Sequence, residues 1–518
     1  MLVNSTWLTL LLLFVGVYYL FLYVVALTSR DAEDRPPENN FYFVFVPAKN
    51  EEKVIERTLA SFSGWKGDNY RVIVINDGST DRTHEMVERA ASVDKTIVFL
   101  DRRPDCAGAS KGAVLNFALQ QIRFFLDHNF LEPLNLDAGF REAYDDSHII
   151  VGCFDADALV QKNTLDEVTR VFSSGDFDAV QTAVRIYNRE QSWLATMQDI
   201  EFLGFSRIIQ KARMCFGSVG MGGNGQFARL SSLLQLGDEP WGRTLTEDLE
   251  LGLRLICKGM RLGFVSNVIT EQEGVTHIRP LFRQRTRWLQ GHFTNWKYIP
   301  SVCRSRARLV TKVDTVFYLT FVTSVFLVAL SATLSVLSIL RLIQVRNSLL
   351  AVFYDRNYAL GVIVLVLYST MFLPLFMHSL SAFYSGTSRA RRFLLAVLFA
   401  AYTYVWLPAG FTAIFRILKG ETSWVKTERV SMVASPESRD AVREGVQRRR
   451  TPRFPAREGI LVNNTPSLLV DISEGGAGVL VRGVAIDTHS VRLTIPGSER
   501  NVTATVAWQR SSTAGSVL

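Results

Sequence analysis

With 518 residues, the chain is long enough for two or three folded units, on a prior of about 100–200 residues per domain. Its formal charge of +8 would admit a nucleic-acid partner. The basic residues, however, gather at the edges of apolar runs, where such residues meet anionic headgroups and mark the cytosolic side, so that class is excluded. Five cysteines with no CxxC pair and no zinc-type histidine spacing exclude a disulfide framework and read as cytosolic thiols.

In chain order, 7–27 is apolar apart from Thr9 and Gly16. A bilayer core of about 30 Å needs roughly 20 apolar residues as a helix, so this run can span. It lacks a positive n-region and is too long for a signal-peptide core, so residues 1–29 read as a retained anchor. From 30 to 278 short β-rich runs alternate with helical patterns, which predicts an α/β domain with a mainly parallel sheet. The clearest strands are 41–46, 71–75, 96–100 and 148–154. Three of them end in polar loops, 47–51, 76–81 and 155–157, and open α/β sheets bind ligands outside the carboxyl ends of their strands.

Residues 279–312 mix Arg279, Arg283, Arg285, Arg287 and Lys297 with Phe, Trp and Tyr, the pattern of interfacial amphipathic helices. The segment 313–418 holds charge-free runs at 316–340, 358–384 (with only His378) and 393–415. Arg389, Arg391 and Arg392 argue for a cytosolic loop before the last run, and Leu407-Pro-Ala-Gly410 interrupts it. The linker 419–442 leads to 443–518, where strands at 459–470, 477–481, 491–495 and 502–508 predict a small β-barrel that ends soon after Trp508.

Asp155 and Asp157, at i and i+2 after a buried strand, can hold one hard divalent cation together with a diphosphate; a solvated loop is the alternative. Asp77 lies in another post-strand loop, suited to a nucleobase or ribose, or to an ordinary turn. Lys111 can reach a nucleotide or remain a surface lysine. Thr246-Glu247-Asp248 opens an amphipathic helix, as a cap or as a general base that deprotonates a hydroxyl within hydrogen-bond reach. Gln284, Arg287 and Trp288 set an amide, a guanidinium and an indole on about one helical turn. A guanidinium fork matches phosphate oxygens, and an indole can lie under a sugar ring.

Together, Asn76-Asp77-Gly78, Asp155-x-Asp157, Thr246-Glu247-Asp248 and Gln284-x-x-Arg287-Trp288 resemble the processive family-2 inverting glycosyltransferases, the cellulose, hyaluronan, chitin-like and poly-N-acetylglucosamine synthases. The resemblance covers roughly 40–430 and implies a GT-A (Rossmann-like) catalytic fold with transmembrane helices. It implies that Glu51, Asp77 and Lys111 hold the nucleotide, and that Asp155 and Asp157 hold the diphosphate with Mg²⁺ or Mn²⁺. Asp248 would be the base, flanked by Thr246 and Glu247; Gln284 and Arg287 would embrace the diphosphate, and Trp288 would seat the acceptor. Trp424, Thr427 and Arg429 look like the gating loop of these synthases. Gly222-Gly223-Asn224-Gly-Gln-Phe227 stands where cellulose synthases carry a different acceptor segment, which puts cellulose itself in doubt.

Arg449 and Arg453, followed by Asp471, Ser473 and Gly476, resemble the PilZ domain, a bacterial cyclic di-GMP receptor; Arg453 with Arg457 is an alternative register. Guanidinium groups suit the phosphates and guanines, while Asp471 and Ser473 can bond a base edge. The expectation is a polysaccharide synthase of the bacterial inner membrane that uses a UDP-sugar, UDP-glucose first, to extend and export a β-glycan under cyclic di-GMP control. Its catalytic and PilZ domains would be cytosolic and its N-terminus outside. An even number of crossings must then follow the catalytic domain. Hence 316–340 and 358–384 are expected to span and 393–415 to be interfacial or re-entrant. So few helices leave room for a homodimer or export subunits. Two rivals stand: a non-processive transferase acting on a lipid-linked acceptor, and a catalytically dead cyclic di-GMP scaffold.

Overall fold

The computed structural model describes residues 2–4, 6–29, 35–102, 110–320, scattered positions between 323 and 346, Leu380, 387–421 and the strands between 454 and 517. Trp424, Thr427, Arg429, Arg449, Arg453 and most of the 358–384 run lie outside the described residues. The chain divides into two compact units, one of 38–165, 223–247 and 429–518, the other of 1–37, 166–222 and 248–428.

In the first unit, four strands run parallel: Ile97–Asp101, Tyr70–Asn76, Phe41–Ala48 and Ile149–Cys153, in that spatial order. Gln226–Arg229 adds to the last of them antiparallel. The four parallel strands are almost wholly buried, as a parallel sheet covered on both faces requires, and this explains their unbroken apolar runs. They match the expected strands to within one or two residues. The Lys111–Asp127 helix starts at an N-cap, Ser110, whose side chain accepts from the amide of Ala113 at 3.2 Å.

The same unit contains the C-terminal β region, a seven-stranded antiparallel sheet. Where one strand was expected over 459–470, there are two, Phe454–Val462 and Thr465–Ser473. Val462 pairs antiparallel with Thr465. Two short strands, Arg510–Ser512 and Gly515–Val517, follow the point where the domain was expected to end. Gly459 donates its amide to Oε1 of Gln121 and packs on Phe124 and Phe125 of the Lys111–Asp127 helix.

In the second unit, Ala179–Ile186 and Leu262–Gln272 pair in parallel. The apolar Thr6–Thr28 helix lays Val15, Tyr19 and Leu22 on Ala212 and Phe216, and its Tyr18 hydroxyl donates to Asp314. Asp314 is buried, paired with Arg213 at 2.7 Å and accepting from Ser218 Oγ at 2.6 Å. Leu2–Asn4 pairs in parallel with Gln344–Arg346. The 393–415 run lies in two helices, Arg389–Thr403 and Trp406–Leu418, broken at Tyr404 and Val405. Pro408 thus falls in the first turn of the second helix, where its missing N–H costs nothing. At 1.5 Å per residue these helices are about 22 and 20 Å long, each short of a bilayer core of about 30 Å. Thr6–Thr28 and the whole Arg389–Leu418 stretch are the two described runs long and apolar enough to cross one.

Candidate active site

Three loops at the carboxyl ends of parallel strands carry the donor-side candidates, and backbone register brings their bases together. Asn76 pairs with Asp101 across two strands, and its amide donates to the Asp101 carboxylate at 2.7 Å. Asp77 follows at once and accepts from Nη1 of Arg102 at 2.7 Å, with Lys49 Nζ 3.7 Å from its other oxygen. Both members of the Asp77–Arg102 pair are less than one-tenth exposed. Gly78 turns the loop away at φ 66°, a left-handed conformation that a glycine enters without strain. Glu51 is buried, and its amide donates to Thr83 Oγ1 at 2.7 Å.

A second cluster forms around Lys111. Its ammonium donates to Asp155 Oδ1 at 2.5 Å and to the carbonyl of Gly223 at 3.0 Å, with Glu247 Oε1 3.8 Å away. The amide of Asp155 donates to Oδ1 of Asn224 at 3.3 Å. Gly223 and Asn224, expected at the acceptor, thus contact Lys111 and the Asp155 backbone amide respectively. Asp157 is buried, on a turn fixed by the Thr58 hydroxyl donating to the carbonyl of Ala156 at 2.7 Å. Beneath, burial pushes the Cys153 thiol up to about 12, so this cysteine is inert packing. Gly112 allows the helix to approach the carbonyl of Gly242 more closely than any side chain would permit.

In the other unit Asp248 sits in the first turn of the Glu247–Cys257 helix, where the amide of Leu249 donates to its Oδ1 at 2.7 Å. Gln284, Arg287 and Trp288 share the Ile278–Thr294 helix, as expected, and all three are partly exposed. That helix is not free on its apolar side. Leu289 packs on Ala409 and Ala413 of the Trp406–Leu418 helix. Within the motif, Arg285 is fully buried. Burial alone would lower its guanidinium, but the Glu201 carboxylate beside it outweighs that and holds it above the usual arginine range, so it stays charged.

The sequence reading missed Arg102, Lys49, Arg285, Glu201 and Tyr402. Arg102 follows the fourth parallel strand and could have been found by treating its loop like the other three. Arg285 was visible only as one more positive charge. In the C-terminal sheet, Phe454 stands opposite Ile472, between Asp471 and Ser473, and Ser473 pairs with Gly476. The register thus brings the strand that follows the arginine motif beside the Asp-x-Ser-x-x-Gly segment.

Asp155 and Asp157 suit a divalent cation of the Mg²⁺ type, which takes one or two carboxylates and fills its shell with phosphate oxygens and water. Among the described residues no cluster of three or more Asp, Glu, His or Cys could hold a metal ion by itself. Lys111 already engages Oδ1 of Asp155, and an arriving cation would share that carboxylate with it.

Residues 37–291 match the family model described as glycosyltransferase like family 2, and residues 447–518 match the PilZ domain. A beta-monoglucosyldiacylglycerol synthase of Synechocystis is 30% identical over 264 residues, 49% of each chain. A probable glycosyltransferase of Bacillus subtilis, YdaM, is 24% identical over 74% of this chain and 86% of its own. A poly-beta-1,6-N-acetyl-D-glucosamine synthase of Staphylococcus aureus is 25% identical over 47% of this chain and 52% of its own. The chain spans about half the length of the first of these relatives.

Proposed function

We propose that this chain, which carries a family-2-like glycosyltransferase domain and a C-terminal PilZ domain, is a membrane-embedded polysaccharide synthase. It takes a UDP-sugar, UDP-glucose first, extends a β-glycan with inversion and passes it outward, and cyclic di-GMP activates it. The observation that carries the reading is the Ile278–Thr294 helix, which holds Gln284, Arg287 and Trp288 at i, i+3 and i+4, all partly exposed. That spacing suits one group gripping a diphosphate and another supporting a sugar.

In this reading Glu51, Asp77 and Lys111 hold the nucleotide. Asp155 and Asp157 would hold Mg²⁺ or Mn²⁺, which when bound neutralises charge on the diphosphate. Asp248 removes the proton from the acceptor hydroxyl as its oxygen bonds to the anomeric carbon. The bond from that carbon to the diphosphate breaks, and Arg287 and Gln284 receive the developing charge. One displacement inverts the centre and needs no enzyme nucleophile. Trp288 seats the acceptor, and Trp424, Thr427 and Arg429 close over the nucleotide. Arg449, Arg453, Asp471, Ser473 and Gly476 bind cyclic di-GMP.

Membrane residence is supported by the Thr6–Thr28 helix, which exposes Leu10, Leu13, Phe14 and Val17 by 46–62% on the face it does not pack. An N-terminus outside and a cytosolic catalytic domain put the loop after 316–340 outside as well. The pairing of Leu2–Asn4 with Gln344–Arg346 suits that arrangement.

A second reading, single transfer to a lipid acceptor, is favoured by the similarity to a beta-monoglucosyldiacylglycerol synthase. Purified membranes incubated with each UDP-sugar, with and without cyclic di-GMP, followed by linkage analysis, test the proposal. A β-linked polymer stimulated by cyclic di-GMP is expected. A glucosylated lipid as the sole product would replace the first reading with the second.

A further inference from the structure

We propose that Arg285 is a positioning residue that sets both Gln284 and Trp288, and that Glu201 and Tyr402 anchor it. The consequence for catalysis rests on the reading of Trp288 as the acceptor platform; the positioning itself rests on geometry.

A buried guanidinium is costly unless it is paired and hydrogen-bonded. Arg285 is 0% exposed. Its Nη2 donates to Glu201 Oε2 at 2.5 Å and to the Tyr402 hydroxyl at 3.0 Å. The Tyr402 hydroxyl in turn donates to the same Glu201 oxygen at 2.9 Å, closing a three-residue ring. Nη1 reaches along the helix and donates to Gln284 Oε1 at 2.9 Å. The guanidinium carbon also lies 4.1 Å from the centroid of the Trp288 ring and 5.1 Å from that of Trp406. Phe202, next to Glu201, meets Trp288 edge-on at 6.2 Å.

One guanidinium therefore touches the first and the last residue of Gln284-x-x-Arg287-Trp288. An ion pair that served only to join helices would need neither contact. A lysine could still pair with Glu201, but it has no planar fork for Gln284 and no flat face for the indole. A desolvated cation–π contact is strong enough to favour one indole orientation. The anchors come from two other helices, Trp193–Gly204 and Arg389–Thr403, so the orientation is imposed from outside the motif helix.

The test uses the full chain with its nine tryptophans replaced by 5-fluorotryptophan, read by ¹⁹F NMR in nanodiscs, with the Trp288 resonance assigned from Trp288→Phe. Arg285→Lys and Arg285→Met are expected to displace the Trp288 and Trp406 resonances and leave that of Trp65 in place. In the same variants kcat should fall at least tenfold and products shorten. Tyr402→Phe removes only the bridging hydroxyl. It should displace the Trp288 resonance less, and it carries the test if the guanidinium cannot be removed without unfolding. A Trp288 resonance unmoved in the folded variants would overturn the proposal. A displaced resonance with unchanged kcat and product length would uphold the positioning and overturn the acceptor role of Trp288 on which its consequence rests.

Discussion

The ammonium of Lys111 lies 2.5 Å from Oδ1 of Asp155, so a lysine at the first position of a helix already holds one carboxylate of the Asp155/Asp157 pair. A cation arriving there competes with that ammonium, while a diphosphate arriving with it gives the ammonium a new partner. Lys111→Met is therefore expected to tighten Mn²⁺ binding in the absence of nucleotide. It should also raise the donor KM about tenfold, since a charge-assisted hydrogen bond is worth about 1.5–3 kcal/mol. Electron paramagnetic resonance of free Mn²⁺ checks the first effect, and initial rates against donor concentration check the second.

Asp77 and Arg102 form a buried pair at 2.7 Å. Arg102→Met takes the 2.7 Å cationic partner away from the buried Asp77 carboxylate, which should cost about 3–5 kcal/mol. The double variant Arg102→Met, Asp77→Asn should recover part of that loss, because no unpaired charge remains. Thermal unfolding of the detergent-purified protein compares the three chains.

His292 is half-buried, with its Nε2–H donating to the carbonyls of Tyr318 and Leu319 at 3.2 and 3.0 Å. Burial lowers its pKa from 6.5 to about 4, which keeps it neutral in the fold. Above the unfolded value both states are neutral and nothing is lost. As pH falls from about 6.5 to about 4, the unfolded chain takes up a proton that the folded one refuses, so stability declines over that window and levels off below it. His292→Gln should flatten the decline, by at most about 3.4 kcal/mol on the scale of 1.36 kcal/mol per pKa unit. Unfolding midpoints recorded from pH 7 to pH 4 give the comparison.

Gly459 packs where a side chain would collide with Phe124 and Phe125. Gly459→Val should force the Phe454–Val462 strand off the Lys111–Asp127 helix at a cost of about 1–3 kcal/mol. Faster hydrogen exchange across 454–462 in the variant, read by mass spectrometry, is the expected outcome; identical exchange would deny that this contact holds the strand.

The sheet was legible because four buried parallel strands write themselves as unbroken apolar runs, and Asp77, Asp155 and Asp157 because they follow those strands directly. What was not legible depends on distant partners. Arg285 finds Glu201 and Tyr402 at separations of 84 and 117 residues, and no local pattern marks such a match. Arg102 reaches Asp77 only through the register that sets Asn76 beside Asp101. The division into Phe454–Val462 and Thr465–Ser473 was hidden inside an apolar stretch whose two asparagines, read alone, looked like part of a single strand.

The central claim is that one active site adds many sugars to one acceptor. Its most direct test is the size of the product made by the purified chain in nanodiscs from radiolabelled UDP-glucose with Mg²⁺ and cyclic di-GMP, resolved on a gel beside the Asp248→Asn variant. A long β-linked polymer is expected from the wild type, present even at low donor conversion, and none from Asp248→Asn. A product that stops at one sugar on a lipid, or a polymer undiminished in Asp248→Asn, would contradict it.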